Sequence, residues 1–296
     1  MHPFHVPPPG FPFAFPPLWQ HGEGVKTIPL EDDFTDVIGK AQRGWGLSDT
    51  ELARKAGISE QELQRVKGGQ FDEAAVRKLA PALKLGAEAL VALGKKAWAP
   101  RDPGEVPGLA CFNTQYGTMT VNSYLIWDPQ SDNAACFDTG ADATGMLGFA
   151  AERELRIQMV LLTHSHPDHI ADLDRLRLIP DVSAFASKLE AIPEAETFEA
   201  GHNFRLGNII IGTRQTSGHS RGGITYVVQG LPRRIAIVGD ALFAGSMGGG
   251  MVSFEEALRN NRLHILTLPD DTILCPGHGP LTTVGEEKMY NPFFSE

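Results

Sequence analysis

Cysteine is scarce in this sequence: Cys111, Cys136 and Cys275 are the only three among 296 residues, they are widely spaced, and no CxxC pair occurs. Their number and spacing argue against a disulfide framework and make a reducing, cytoplasmic setting the default. No apolar run approaches the ~18–20 residues that a membrane-spanning helix needs, so no membrane partner is expected. Basic residues are missing from the first twenty positions, MHPFHVPPPGFPFAFPPLWQ, and proline repeatedly interrupts the phenylalanines there. A secretory signal wants a basic start and an unbroken apolar helix. Residues 1–23 read instead as an extended, Pro-rich arm, either solvated or docked through its aromatic residues. An excess of positive charge is absent as well. The formal net charge is −10, and residues 101–296 hold fourteen Lys/Arg against twenty-four Asp/Glu. The balance argues against a polyanionic nucleic-acid substrate in that part, whereas a divalent cation suits it.

Residues 24–98 carry the signals of a small all-α unit. Ser48-Asp-Thr-Glu51 and Ser59-Glu-Gln-Glu62 are capping boxes, and Gly57 between them suits the left-handed end of a helix. Leu47, Leu52, Ala53, Ala56, Ile58, Leu63 and Val66 fall at spacings that let two short helices share one core, and Phe71, Val76, Leu79 and Leu83 extend it into a third. Residues 47–93 resemble the helix-turn-helix domains of Cro/C1-type repressors. In such domains the start of the second helix faces DNA, but here that start is Ser59-Glu60-Gln61-Glu62, whose carboxylates repel phosphate. Gln61, Gln64, Arg65 and Lys67 are the remaining candidate contacts. With twelve Lys/Arg against eleven Asp/Glu over 24–100, the unit reads as a homodimerisation module or a cover for the following domain rather than as a DNA reader. Residues 99–108, rich in Pro and Gly, read as the linker.

Residues 109–296 alternate strand-like and helix-like runs, which fits a layered α+β sandwich with helices outside. Strands are expected near 109–113, 119–127, 134–138, 157–162, 208–214, 223–229, 234–239 and 272–275, and helices near 142–153 and 254–266. Directly after the apolar run 159–162 comes Thr163-His-Ser-His-Pro-Asp-His169, with three histidines and an aspartate within six positions. Imidazole and carboxylate are the ligands that zinc and similar divalent metals prefer. Four further reactive residues sit just past a strand and next to glycine, in Phe137-Asp138-Thr-Gly, Ser217-Gly-His219-Ser, Val238-Gly-Asp240-Ala and Pro276-Gly-His278-Gly.

In this order HxHxDH, GHS, GD and PGHGP resemble the metallo-β-lactamase superfamily over essentially all of 109–296. The resemblance implies an αβ/βα sandwich with a two-metal site on one edge. It implies that His164, His166 and His219 bind one metal, that Asp168, His169 and His278 bind the other, that Asp240 bridges them, and that Asp138 orients a ligand. It also implies that the two metals share a hydroxide that attacks a carbonyl, with Asp168 orienting the nucleophile. The metals implied are divalent, zinc first, with iron and manganese served by the same ligands. Asp at 240, and the segments 239–246 and 268–280, most closely resemble glyoxalase II-like hydrolases, which implies thioester hydrolysis of a small-molecule substrate. The loop Gly245–Met251 departs from that pattern. It carries no cation where the family usually places Arg or Lys against the glutathione carboxylate. The readings that compete are a lactonase or other ester hydrolase, a mono-iron persulfide dioxygenase, and a DNA-binding regulator with a metal-sensing domain. His2, His5, His21, His202 and His264 match no motif.

Overall fold

The computed structural model describes residues 28–295; the Pro-rich arm and His2, His5 and His21 lie outside them. Five short helices come first: α1 (Phe34–Gly44), α2 (Asp49–Ala56), α3 (Glu60–Lys67), α4 (Glu73–Ala82) and α5 (Ala87–Gly94). The Ser48/Glu51 and Ser59/Glu62 capping boxes form, and Gly57 takes φ 64° between α2 and α3. Each box is worth ~1 kcal/mol to its helix. The first helix is capped differently. Its box is built by Asp33 and Asp36, a pair that the Ser/Thr-x-x-Glu/Gln pattern does not detect.

Asp49 ties three of these helices together. Its carboxylate accepts from Gln42 Nε2 (2.7 Å), Gln64 Nε2 (2.6 Å) and Lys67 Nζ (2.6 Å). Two of the four side chains nominated as DNA contacts, Gln64 and Lys67, are therefore engaged within the helical unit. The bonds from Gln42 and Lys67 hold the Asp49 carboxyl down to about 2. Its folded pKa lies below the unfolded ~3.9, so its stabilisation is present above pH ~4 and lost as pH falls through about 2. The side chain is about one-third exposed (35%), so solvent screening limits the gain to ~1 kcal/mol or less. Chemical denaturation of Asp49→Asn should show that loss at pH 7 and a narrowing gap to wild type between pH 4 and pH 2. A gap that stays constant across this range would refute the assignment.

Two six-stranded sheets follow. The first has the order β1 (Leu109–Tyr116), β2 (Met119–Trp127), β3 (Asn133–Phe137), β4 (Arg156–Leu161), β5 (Ser183–Ser187), β6 (Glu196–Phe198). The second has β12 (Thr282–Thr283), β11 (Ile273–Pro276), β10 (Ile235–Gly239), β9 (Ile224–Gln229), β8 (Ile209–Gln215), β7 (Asn203–Leu206). Side chains alternate faces along a strand. Tyr124, Ile126, Phe137 and Leu161 therefore meet Ile211, Tyr226, Val228, Ile237 and Cys275 between the sheets. The intervening Leu125, Cys136 and Val160 pack outward under α6 (Thr144–Glu152) and α8 (Leu173–Arg177). Ala236 and Leu274 do the same on the second sheet under Leu242, Ile265 and Val284. This is the expected α+β sandwich preceded by helices. No helix among the described residues is long and apolar enough to cross a membrane.

Two local expectations need correction. The helix expected over 254–266 ends as an α-helix at Asn260 (α9, Phe254–Asn260) and continues as a π-helical turn over Asn261–Ile265. Asn261 there donates from Nδ2 to the Ala241 carbonyl at 2.7 Å and ties this turn to the segment after Asp240. The short strands β5, β6, β7 and β12 and the helices α7 (Pro167–Ile170), α8 and α10 (Val284–Tyr290) were not expected. β5, Ser-Ala-Phe-Ala-Ser, has no β-branched residue to mark it.

The helices do not close a core of their own. Phe34, Val37, Ile38 and Ala41 line one face of α1 and join Leu52, Leu63, Val76, Leu79 and Leu90 in a cluster that also contains Met247, Phe254, Ala257, Leu258 and Phe293.

Candidate metal centre

Topology gathers the reactive residues on one edge. β3 and β4 run parallel as neighbours, so the turns after them, carrying Asp138 and 163–169, emerge side by side. β10 and β11 are also parallel neighbours, which places Asp240 beside His278. β8 is antiparallel to β9, and β9 to β10, so β8 points the same way as β10 and delivers Ser217-Gly-His219 to the same edge. Glycine allows the turns to close in. A Cβ at Gly277 would lie 2.2 Å from Asp240 Oδ1 and 2.6 Å from His169 Cε1.

All seven residues nominated as ligands come together. The donor atoms of His164, His166, His219 and Asp240 form one group and those of Asp168, His169 and His278 a second, each group within 4.8 Å. His166 Nδ1 is 3.0 Å from both His164 Nε2 and His219 Nε2. A tetrahedral ion with ~2.0–2.1 Å bonds to nitrogen separates its ligands by roughly 3.3 Å, close to this spacing. Asp240 lies between the groups. Its Oδ2 is 3.3 Å from His219 Nε2 and 3.5 Å from His278 Nε2, and its Oδ1 is 3.2 Å from His169 Nε2. Asp168 Oδ2 is 3.2 Å from His278 Nε2.

The far nitrogen of each of four imidazoles is already spoken for. Nδ1 of His164 meets Thr163 Oγ1 (3.0 Å), that of His169 meets Asp138 Oδ2 (2.8 Å), that of His219 meets the Gly249 carbonyl (2.9 Å) and that of His278 meets the Thr120 carbonyl (2.7 Å). These contacts fix the rings and turn every Nε2 toward the centre. Buried His169 Nε2 and Asp240 Oδ1 have no hydrogen-bond partner. Buried polar atoms are ordinarily satisfied, so two orphans facing each other in a His/Asp cage fit a divalent cation.

Electrostatics agree with this. Burial opposes the charge on Asp240, but His169 and His278 outweigh it and hold the carboxyl well below its usual range. Burial likewise opposes protonation of His169, but Asp240 and Asp138 push it up to about 10. His278, also opposed by burial, is pushed up to about 11 by Asp168 and Asp240. Burial, then the neighbouring His169, drives His164 well below its usual value. The carboxylates thus draw positive charge onto lone pairs for which a proton and a cation compete.

Several residues that hold this geometry escaped sequence reading. Glu190 accepts from Ser165 N (2.8 Å), Ser165 Oγ (2.7 Å) and Gly222 N (2.7 Å), clamping the loop 163–169 to the one after His219. Nothing in its local sequence marks it. Asn122 donates from Nδ2 to the Pro276 and Gly279 carbonyls, and the Tyr124 hydroxyl donates to Pro276. A buried Asn inside an apolar strand was the available signal for that pair. His202 packs against Phe198 and Phe204, away from the centre.

The metallo-beta-lactamase superfamily profile matches residues 116–278, just over half of the chain. The chain is 30% identical over 199 residues to the hydroxyacylglutathione hydrolase GloC of Haemophilus influenzae, covering 59% of this chain and 92% of that one. Among solved structures it is similar to ETHE1 from Myxococcus xanthus, with TM-score 0.55, 25% identity, and 62% and 83% of the two chains covered. It is also similar to TTHA1623 in a di-iron-bound form, with TM-score 0.51, 26% identity, and 62% and 99% covered.

Proposed function

The chain belongs to the metallo-beta-lactamase superfamily, and on that premise we propose that it hydrolyses a thioester or closely related acyl substrate with two divalent cations held at the strand-end centre. Asp240, placed between two groups of donors, is the observation that carries this reading. Likeness to GloC supports the thioester, and likeness to a di-iron-bound protein supports a pair of cations. His164, His166 and His219 would hold one cation, Asp168, His169 and His278 the other, and Asp240 both. Bound there, the cations supply Lewis acidity, which polarises a carbonyl and lowers the pKa of water.

The chain's own residues do the rest. Asp168 turns Oδ2 toward His278 Nε2 at 3.2 Å. Its other carboxylate oxygen would orient the attacking water and take its proton. Asp138 spans two elements: Oδ1 accepts from Thr163 N (2.7 Å), while Oδ2 accepts from Thr163 Oγ1 (2.7 Å) and contacts His169 Nδ1. It sets the ring of His169 and the start of the 163–169 loop together. The helical unit is a cover for the hydrolase domain, because its cluster is completed by α9 and Phe293.

The test is turnover of a panel of thioesters, lactones, β-lactams and phosphodiesters, with metal analysis of the same preparation. Thioesters should be the best substrates. Chelation should abolish turnover, and added divalent metal should restore it. A metal-loaded protein that cleaves β-lactams or phosphodiesters but no thioester would overturn the proposal.

A further inference from the structure

The loop after Asp240 is held from the N-terminal side in a way that neither the family match nor the ligand set requires. Asp32, only 8% exposed, accepts from Lys40 Nζ and from Ser246 Oγ. Lys40 Nζ also donates to the Met247 carbonyl at 2.9 Å. The Met247 side chain is fully buried in the helical cluster. One residue on, a Cβ at Gly248 would lie 2.0 Å from Asp240 O and 2.8 Å from His219 Nδ1, so this backbone rests directly on two of the proposed ligands. The next carbonyl, Gly249 O, contacts His219 Nδ1 at 2.9 Å. From α1 to the His219 ring the path is thus continuous: Asp32 and Lys40 to Ser246 and Met247, then along three residues of backbone to the carbonyl that sets the imidazole.

We propose that Asp32 and Lys40 are positioning residues of the metal centre, which orient His219 through the loop 245–249 and thereby make the N-terminal helical unit part of the ligand scaffold. The inference rests on the reading of His219 as a ligand. The hydrogen bond on the far nitrogen of a ligating imidazole fixes its ring orientation and raises its basicity, and losing such a contact typically costs ~10–100-fold in metal affinity. Here the contact is a main-chain carbonyl, so its position is only as well defined as the loop that carries it. Glu287 and Asn291 hold the start of that loop at Gly245 N and the Ser246 carbonyl, and the buried ion pair holds it at the Ser246 hydroxyl and the Met247 carbonyl, next to the residues that touch His219. Removing one partner alone would strand a buried charge, so both are removed together.

Stepwise zinc affinities of the full chain, measured by chelator competition, test this for Asp32→Asn/Lys40→Met. One of the two affinities should fall ~10–100-fold while the other holds within roughly twofold. The His219 imidazole resonances of the metal-free protein should shift. Ser246→Ala removes only one bond of the lock and should give a smaller effect in the same direction, a reading that survives if the double variant folds poorly. Asp49→Asn perturbs the same helical unit without touching the loop, and should leave both affinities and the His219 signals at wild type. Unchanged affinities and unshifted His219 signals in both lock variants would overturn the proposal, as would equal losses in Asp49→Asn. A wild-type protein that binds zinc with these responses but hydrolyses no acyl substrate would sink the proposed function and leave this inference standing. A wild-type protein that takes up no divalent cation would sink both.

Discussion

Asp240→Ala should lose at least one equivalent of bound metal and lower kcat for a thioester by ~10³-fold or more, about 4 kcal/mol at 1.36 kcal/mol per decade. The size follows from the composition of the centre. The first group offers three imidazoles and a single carboxylate, and that carboxylate is Asp240. Its loss leaves a cation there with neutral ligands only, in a buried setting where an uncompensated charge is costly. The second group loses the oxygen 3.2 Å from His169 Nε2, so the damage crosses both positions. Asp240→Asn keeps the shape and removes the charge, and it should fall between the alanine variant and wild type. Metal content and kcat, measured on protein with unchanged far-ultraviolet circular dichroism, check the prediction. Full metal content with full turnover in Asp240→Ala would defeat the reading of the centre.

Phe254→Ala should lower stability by ~3–5 kcal/mol, as expected for truncating a buried phenylalanine. Its ring is packed edge-on against Trp45 (5.1 Å) and near Phe293 (6.1 Å), and it closes on Gly44, where a Cβ would lie 2.2 Å from the ring. Trp45 and Gly44 belong to the end of α1, while Phe254 opens α9. The side chain is thus a joint between the helical unit and the sandwich. Because the two share one cluster, they should unfold in a single transition, shifted down by roughly 6–20 °C at the ~2–4 °C per kcal/mol usual for large domains. Two resolved transitions in the wild type, or an unshifted midpoint in the variant, would show that the helices fold as an independent unit.

The prominence of these two sites in the bare sequence differs for physical reasons. A ligand set needs rare side chains at fixed spacings after strand ends. His164 to His169, His219, Asp240 and His278 were legible because no ordinary surface or core assembles them in that order. The two capping boxes were equally legible, since a helix start is settled by four consecutive residues. Phe254 carried no such mark, being one phenylalanine of sixteen. Glu190, Thr120 and the Asp32–Lys40 pair were silent too, because each acts on a partner distant in sequence. Lys40 reaches Met247 across 207 positions, and no local pattern encodes that distance.

The sequence by itself determined the chemistry: which donor atoms are available, that they follow strands, and that those strands alternate with helices in a layered sandwich. Tertiary structure decided how these donors are oriented and by what. The register of parallel neighbours set Asp138 beside Thr163 and Asp240 beside His278. Carbonyls and a carboxylate from remote segments then fixed which nitrogen of His169, His219 and His278 faces inward. The helical unit, which in sequence reads as a dimerisation module or a cover, became one wall of the core because its apolar faces are completed by Met247, α9 and Phe293. Hydrophobic faces record that they must be covered but not by what, and that choice is made only when the chain is packed.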